Sequence, residues 1–127
     1  CNEERALATL RWCLEQRQQL RLWHIDLEEV RAELELGKVV CRGLDRDSHP
    51  VVLYRNCRAD HTLDLTMRLR ALVLVLDYLE VCLDRGDFDG NTTWVVVLDL
   101  GGKPAKGSMS YDYLSRLIKL FMKSYPA

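Results

Sequence analysis

The chain has 127 residues, 48% of them hydrophobic and 29% charged, with a formal net charge of −1. That length supports one folded domain rather than two, and the apolar content excludes a disordered chain, which lacks the side chains needed to offset ordering entropy. The charge is uneven: residues 101–127 carry Lys103, Lys106, Arg116, Lys119 and Lys123 against Asp112 alone, so the acidic excess lies in residues 1–100.

From Glu4 to about Leu22, Leu7, Leu10 and Leu14 recur at three and four and mark one face of a helix. A second helix starts at Asp26 as N-cap, with Glu29 three positions on in a capping-box arrangement. Leu27, Val30 and Leu34 form its stripe and Gly37 its stop, so the two helices are expected to pack on each other. Lys38–Cys41 and Pro50–Arg55 then read as neighbouring strands joined by the polar turn 43–49, with Pro50 tolerated at the first strand position.

Residues 63–85 contain the run Ala71–Leu76, which alone suits a buried strand, yet the apolar pattern persists past twenty residues and favours a long helix. Arg68, Arg70, Asp77 and Glu80 interrupt it, which excludes an ordinary membrane span. After the loop 86–91, residues 92–100 form a continuous apolar run, the signature of a strand covered on both faces. A glycine-rich loop, 101–107, leads into a last amphipathic helix on which Tyr111, Leu114, Ile118, Phe121 and Tyr125 recur at three and four, with Ser108 or Ser110 as cap. A helix between strands and another after the last strand predict an α/β fold: N-terminal helices followed by a partial mixed or parallel sheet covered by helices.

Cys1, Cys13, Cys41, Cys57 and Cys82 are odd in number, irregularly spaced and preceded by no secretory leader, which reads as reduced thiols in a cytoplasmic protein. The lysines near the end suit either a solvated helix side or anionic lipid headgroups, and so a peripheral membrane contact.

Candidate chemistry is sparse. The loop 101–107 stands where phosphate-binding loops stand, but it has neither the P-loop nor the G-x-G-x-x-G order. Asp99 ends the buried strand, where α/β folds gather catalytic groups; its simpler role is to accept backbone N–H groups from the loop beside it. Cys57, Asp60, His61 and Asp64 match no common zinc spacing. There is no G-x-S-x-G elbow, and His24 and His49 read as a packed side chain and a turn residue. The expectation is a protein that is not an enzyme and uses no cofactor and no metal.

Three stretches together resemble the CRAL-TRIO family, whose members include phosphatidylinositol transfer proteins and carriers of tocopherol and retinal. They are Gly37–Val52, with its glycine, aspartate, polar turn and Pro50 before an apolar strand; Val95–Gly102, an apolar strand ending in Asp99 and glycine; and the closing helix running into Tyr125–Pro126, where the family reads Tyr-Pro-Glu and this chain has Ala127. The resemblance implies an N-terminal helical segment, 1–36, and a lipid-binding domain, 37–127, whose remaining strands and gate helix follow Ala127. It implies binding and transfer of a small hydrophobic lipid, phosphoinositide, phospholipid or isoprenoid, during transient visits to a membrane surface. Tyr54, Trp94, Val96 and Leu98 are the expected lipid-binding residues, and no nucleic acid partner is implied. The alternatives are a degenerate module for protein contacts, and an α/β phosphate-binding enzyme built on Asp99 and the glycine loop.

Overall fold

The computed structural model describes residues 2–88, 90, 91 and 93–124, without the side chains of Lys123 and Ser124. Thr92 and the Tyr125–Pro126 element lie outside the described residues, as does Cys1. The elements run α1 (Asn2–Gln19), α2 (Leu27–Glu35), β1 (Val39–Leu44), β2 (Pro50–Arg55), a 3-10 turn (Asn56–Arg58), α3 (Leu65–Asp84), β3 (Val95–Asp99) and α4 (Tyr111–Lys119), which continues into a π-helical turn, Leu120–Ser124. The arrangement is α/β, as expected from the order of patterns.

Local chemistry sets most of these boundaries. Asp26 caps α2 by accepting from Glu28 N at 3.0 Å, Asp64 caps α3 through Met67 N, and Ser110 rather than Ser108 caps α4 through Tyr113 N. The expected capping box at α2 is only half formed, because the Glu29 carboxylate turns to Arg70 instead of back to the cap. Gly37, at φ +60°, reverses the chain between α2 and β1, a conformation that costs a residue with a Cβ more.

The sheet has the order β1-β2-β3, which leaves β3 at one edge. β1 and β2 pair antiparallel with Val40 opposite Leu53 and Cys41 opposite Val52, and the register shifts between Cys41 and Leu44. β2 and β3 pair parallel, from Val51 opposite Val95 to Arg55 opposite Asp99, with α3 as the crossover between them.

The core lies between this sheet and the helices. Val52 and Tyr54 meet Leu69, Leu72, Val73 and Leu76 of α3, with Trp94, Tyr113 and Leu117 completing the cluster. Each such side chain contributes roughly 1.5–3 kcal/mol by leaving water.

Three expectations change. First, α2 packs on α3 while α1 meets the turn after α4, so the first two helices are not each other's main partner. Leu20 at the end of α1 enters the core, whereas Leu7, Leu10 and Leu14 stay exposed. Second, the helix buries Tyr113, Leu117 and Leu120 in addition to Phe121 of the expected stripe; Leu114 packs against the core part-buried, while Tyr111 and Ile118 are exposed. Its apolar arc is wider than one interface, and the Tyr113 hydroxyl, with a cation to meet, draws that side inward. Third, β3 is covered on one face only among the described residues, with Val95 and Val97 exposed at 36% and 43%.

Candidate ligand face and the polar core beneath it

Alternation along the paired strands divides the sheet into two apolar faces. Val52, Tyr54, Val96 and Leu98 share the covered face: the first two are core, and Val96 and Leu98 pack against it part-buried. Trp94, just before β3, is 2% exposed and lies beside Phe121, with ring centroids 6.2 Å apart. The four residues expected to line a ligand are therefore brought together, within the core between sheet and helices.

The opposite face carries Val40, Val51, Leu53, Val95 and Val97, neighbours by register and exposed or half-buried. At the carboxyl end of the strands this apolar floor ends in Arg55 and Asp99, a registered pair. Arg55 donates from Nη2 to the Gly37 carbonyl at 2.6 Å, while its buried Nε has no hydrogen-bond partner. Sequence alone could not separate the faces, because every residue from Val95 to Leu98 is apolar; the one available signal was Tyr54, whose large side chain and hydroxyl favour the side that meets a helix layer.

Under the covered face lies a polar cluster that sequence reading missed. Lys38 and Glu33 form a buried ion pair, each side chain 3% exposed. Lys38 Nζ also donates to Tyr113 Oη at 2.9 Å and stands 5.5 Å and 5.1 Å from the ring centroids of Tyr54 and Tyr113. Burial pushes the Tyr113 phenol up to about 12 and raises that of Tyr54 as well. Arg68 stacks over the Tyr113 ring and bonds to His61 Nδ1, and His61 Nε2 bonds to Asn56 Oδ1 at 2.9 Å. Desolvation, then the charges of Arg68 and Lys38, hold the His61 pKa down to about 4. With Arg68 donating to one ring nitrogen and Asn56 accepting at the other, His61 is neutral with its proton on Nε2.

The candidates for other chemistry are engaged locally. Asp99 Oδ1 accepts from Gly101 N at 3.0 Å, the simpler of its two readings. The loop 101–107 is tied to the start of the α3 connection: Asp60 bridges Lys106 in parallel fashion, and His61 N donates to the Lys106 carbonyl at 2.8 Å. Asp60 takes Thr62 N and Oγ1, and Asp64 is spent on its cap, so these two and His61 are each committed to different partners. Cys57 is exposed beside them. Asp45, Asp47 and His49 converge in the β1–β2 turn, where Asp45 Oδ1 accepts from the backbone of Asp47 and His49 and lies near His49 Nδ1; these bonds depress the Asp45 pKa and account for the cluster as a turn. His24, expected to pack, is exposed. No described helix is long and apolar enough to cross a membrane.

No curated protein sequence matches the chain. Family comparison matches residues 34–127 to the CRAL/TRIO domain, a domain that binds small lipophilic ligands. That match runs from the last turn of α2 through the whole sheet to the end of the chain, over α3, α4 and the mixed sheet described above, and the chain belongs to the CRAL/TRIO domain family.

Proposed function

We propose that this chain binds an amphipathic lipid on the open face of its sheet and carries it between membranes rather than transforming it. The observation that carries this reading is the exposure of Val95 and Val97 on a strand that is apolar along its length, beside Val51 and Leu53. A lipid tail of roughly sixteen carbons costs on the order of 12 kcal/mol to expose to water, at about 0.8 kcal/mol per CH₂. A carrier must offset that cost with apolar surface, and this floor is the apolar face of the sheet left open among the described residues.

The floor is polar at one end. Arg55 and Asp99 stand side by side there, a cation and a carboxylate in register, which suits an oxygen-rich headgroup at the carboxyl ends of the strands and a tail lying toward Val51 and Val95. A phospholipid, phosphoinositides included, fits that polarity better than a pure hydrocarbon. Asp99, the acid best placed for catalysis, is held by Gly101, which supports binding rather than chemistry. The reading is of a cytoplasmic carrier that meets membranes transiently.

Native mass spectrometry with lipid extraction, on the full natural protein purified from cells, tests this. A phospholipid at near one per chain, lost in Val97→Asp and Leu53→Asp while the melting temperature holds, is the expected result. A clean apo mass that stays unchanged after incubation with mixed vesicles overturns it in favour of a protein-contact module.

A further inference from the structure

Helix α4 has two apolar stripes and buries one. Tyr113, Leu117 and Leu120 enter the core, while Tyr111, Ile118 and Met122 are exposed and follow one another at i, i+7 and i+11, joined by Leu114 at i+3, which is half-buried against the core at the border of the two stripes. Tyr111 is 86% exposed and Met122 75%. Tyr111, Leu114, Ser115, Ile118 and Lys119 line one shallow depression, so the stripe is continuous with a lysine on its flank.

We propose that this stripe is the surface on which the protein docks to an anionic lipid bilayer. The proposal rests on the carrier reading in that a carrier must visit a membrane, but it concerns a different surface from the ligand floor. Charge supports the choice of partner. The final 27 residues hold five bases against Asp112 alone, and two of the five, Arg116 and Lys119, lie on α4 itself, so an anionic surface attracts this helix. Arg116 pairs with Asp112 at 3.3 Å, but both side chains are well exposed, and so weak a pair leaves the guanidinium available to phosphate.

Size separates the bilayer from a second copy. The exposed parts of these few side chains amount to a few hundred Å², well short of the roughly 800 Å² per partner of a stable protein interface. Pairing the stripe with itself would also bring like charges together. Shallow insertion of Tyr111, Ile118 and Met122 beside basic residues is enough for reversible membrane binding.

The test is co-sedimentation of the full natural protein with vesicles of phosphatidylcholine alone and of phosphatidylcholine with phosphatidylserine. Binding at least roughly tenfold stronger to the anionic vesicles, abolished by high salt, is expected. Lys119→Glu, and separately the pair Tyr111→Ser with Met122→Ser, should each lower partition by about tenfold while leaving the melting temperature unchanged. Equal binding to both vesicle types, unaltered binding of these variants, or a light-scattering mass of two copies that reverts to one in Tyr111→Ser overturns the proposal. Lipid content per chain, read by native mass spectrometry, keeps the two readings apart: variants that retain lipid but leave the vesicles support docking by α4. A protein that sediments with anionic vesicles yet never carries lipid refutes the carrier while leaving the docking surface standing.

Discussion

The Arg68 guanidinium lies over the Tyr113 ring, 3.8 Å from its centroid, and so joins α3 to α4 through the centre of the polar cluster. Because Arg68 also bonds to His61 Nδ1, the cluster excludes a proton from that nitrogen.

His61 gives the fold a pH dependence with a definite sign. Its folded pKa is about 4 against an ordinary value of 6.5, lowered first by burial and then by the positive charges of Arg68 and Lys38, with Asp60 opposing. Between those values the unfolded chain binds the proton more readily, so the contribution is full above pH 6.5 and is lost as pH falls toward 4. Thermal melts should show a lower midpoint at pH 5 than at pH 7, and His61→Gln should flatten part of that slope. An identical slope in the variant would assign the acid sensitivity to carboxylates elsewhere.

Lys38 and Glu33 are a buried pair whose loss depends on how it is removed. Lys38→Met leaves the Glu33 carboxylate uncompensated, and should cost about 3–5 kcal/mol in urea unfolding. The double variant Lys38→Met with Glu33→Leu should recover most of that loss, since apolar replacements of similar volume are often neutral. A double variant as unstable as the single one would show that the cation over Tyr54 and Tyr113 matters more than the pair.

Arg70 holds the N-terminal helices on the domain. It donates to the carbonyls of Leu20 at 2.5 Å, Arg21 at 3.1 Å and His24 at 2.5 Å, and pairs with Glu29 at 3.0 Å, which satisfies carbonyls left over at the end of α1. Arg70→Ala should destabilise by about 2–4 kcal/mol. Limited proteolysis should then cut within 20–26 sooner than in the parent protein. Lys at this position should rescue little, because one ammonium cannot reproduce the planar fork.

Gly107 sits at φ +69°, and a Cβ there would stand 3.2 Å from Thr62 Cγ2 and 3.3 Å from His61. Gly107→Ala should cost about 1–3 kcal/mol through strain and crowding, visible as a lower urea midpoint. Ala at Gly43, where φ is similar but nothing lies within 4 Å, should cost less; equal losses would put the whole effect in the backbone.

Much of the architecture was legible in the residues themselves. The cap at Asp26, the reversal at Gly37, the position of Pro50 and the length of the 63–85 pattern act within a few residues, so the element order could be read without the fold, although the choice of Ser110 over Ser108 as the last cap could not. The family resemblance lay in the same local stretches, Gly37–Val52 and Val95–Gly102. Which side of an element faces inward was another matter. β3 and α4 are apolar over more of their surface than one contact can cover, so periodicity left their orientation open. The register of β2 and β3, the crossover by α3 and the pull of Lys38 and Arg68 on Tyr113 settled it, putting Tyr54 and Trp94 in the core and leaving Val95 and Val97 outside. Lys38 only opens a strand pattern in the sequence; its burial depends on Glu33, Tyr54 and Tyr113, three residues from separate elements. Pattern encodes what a segment can do alone, whereas the choice between two apolar faces is a comparison of packings, and that comparison exists only once distant segments meet.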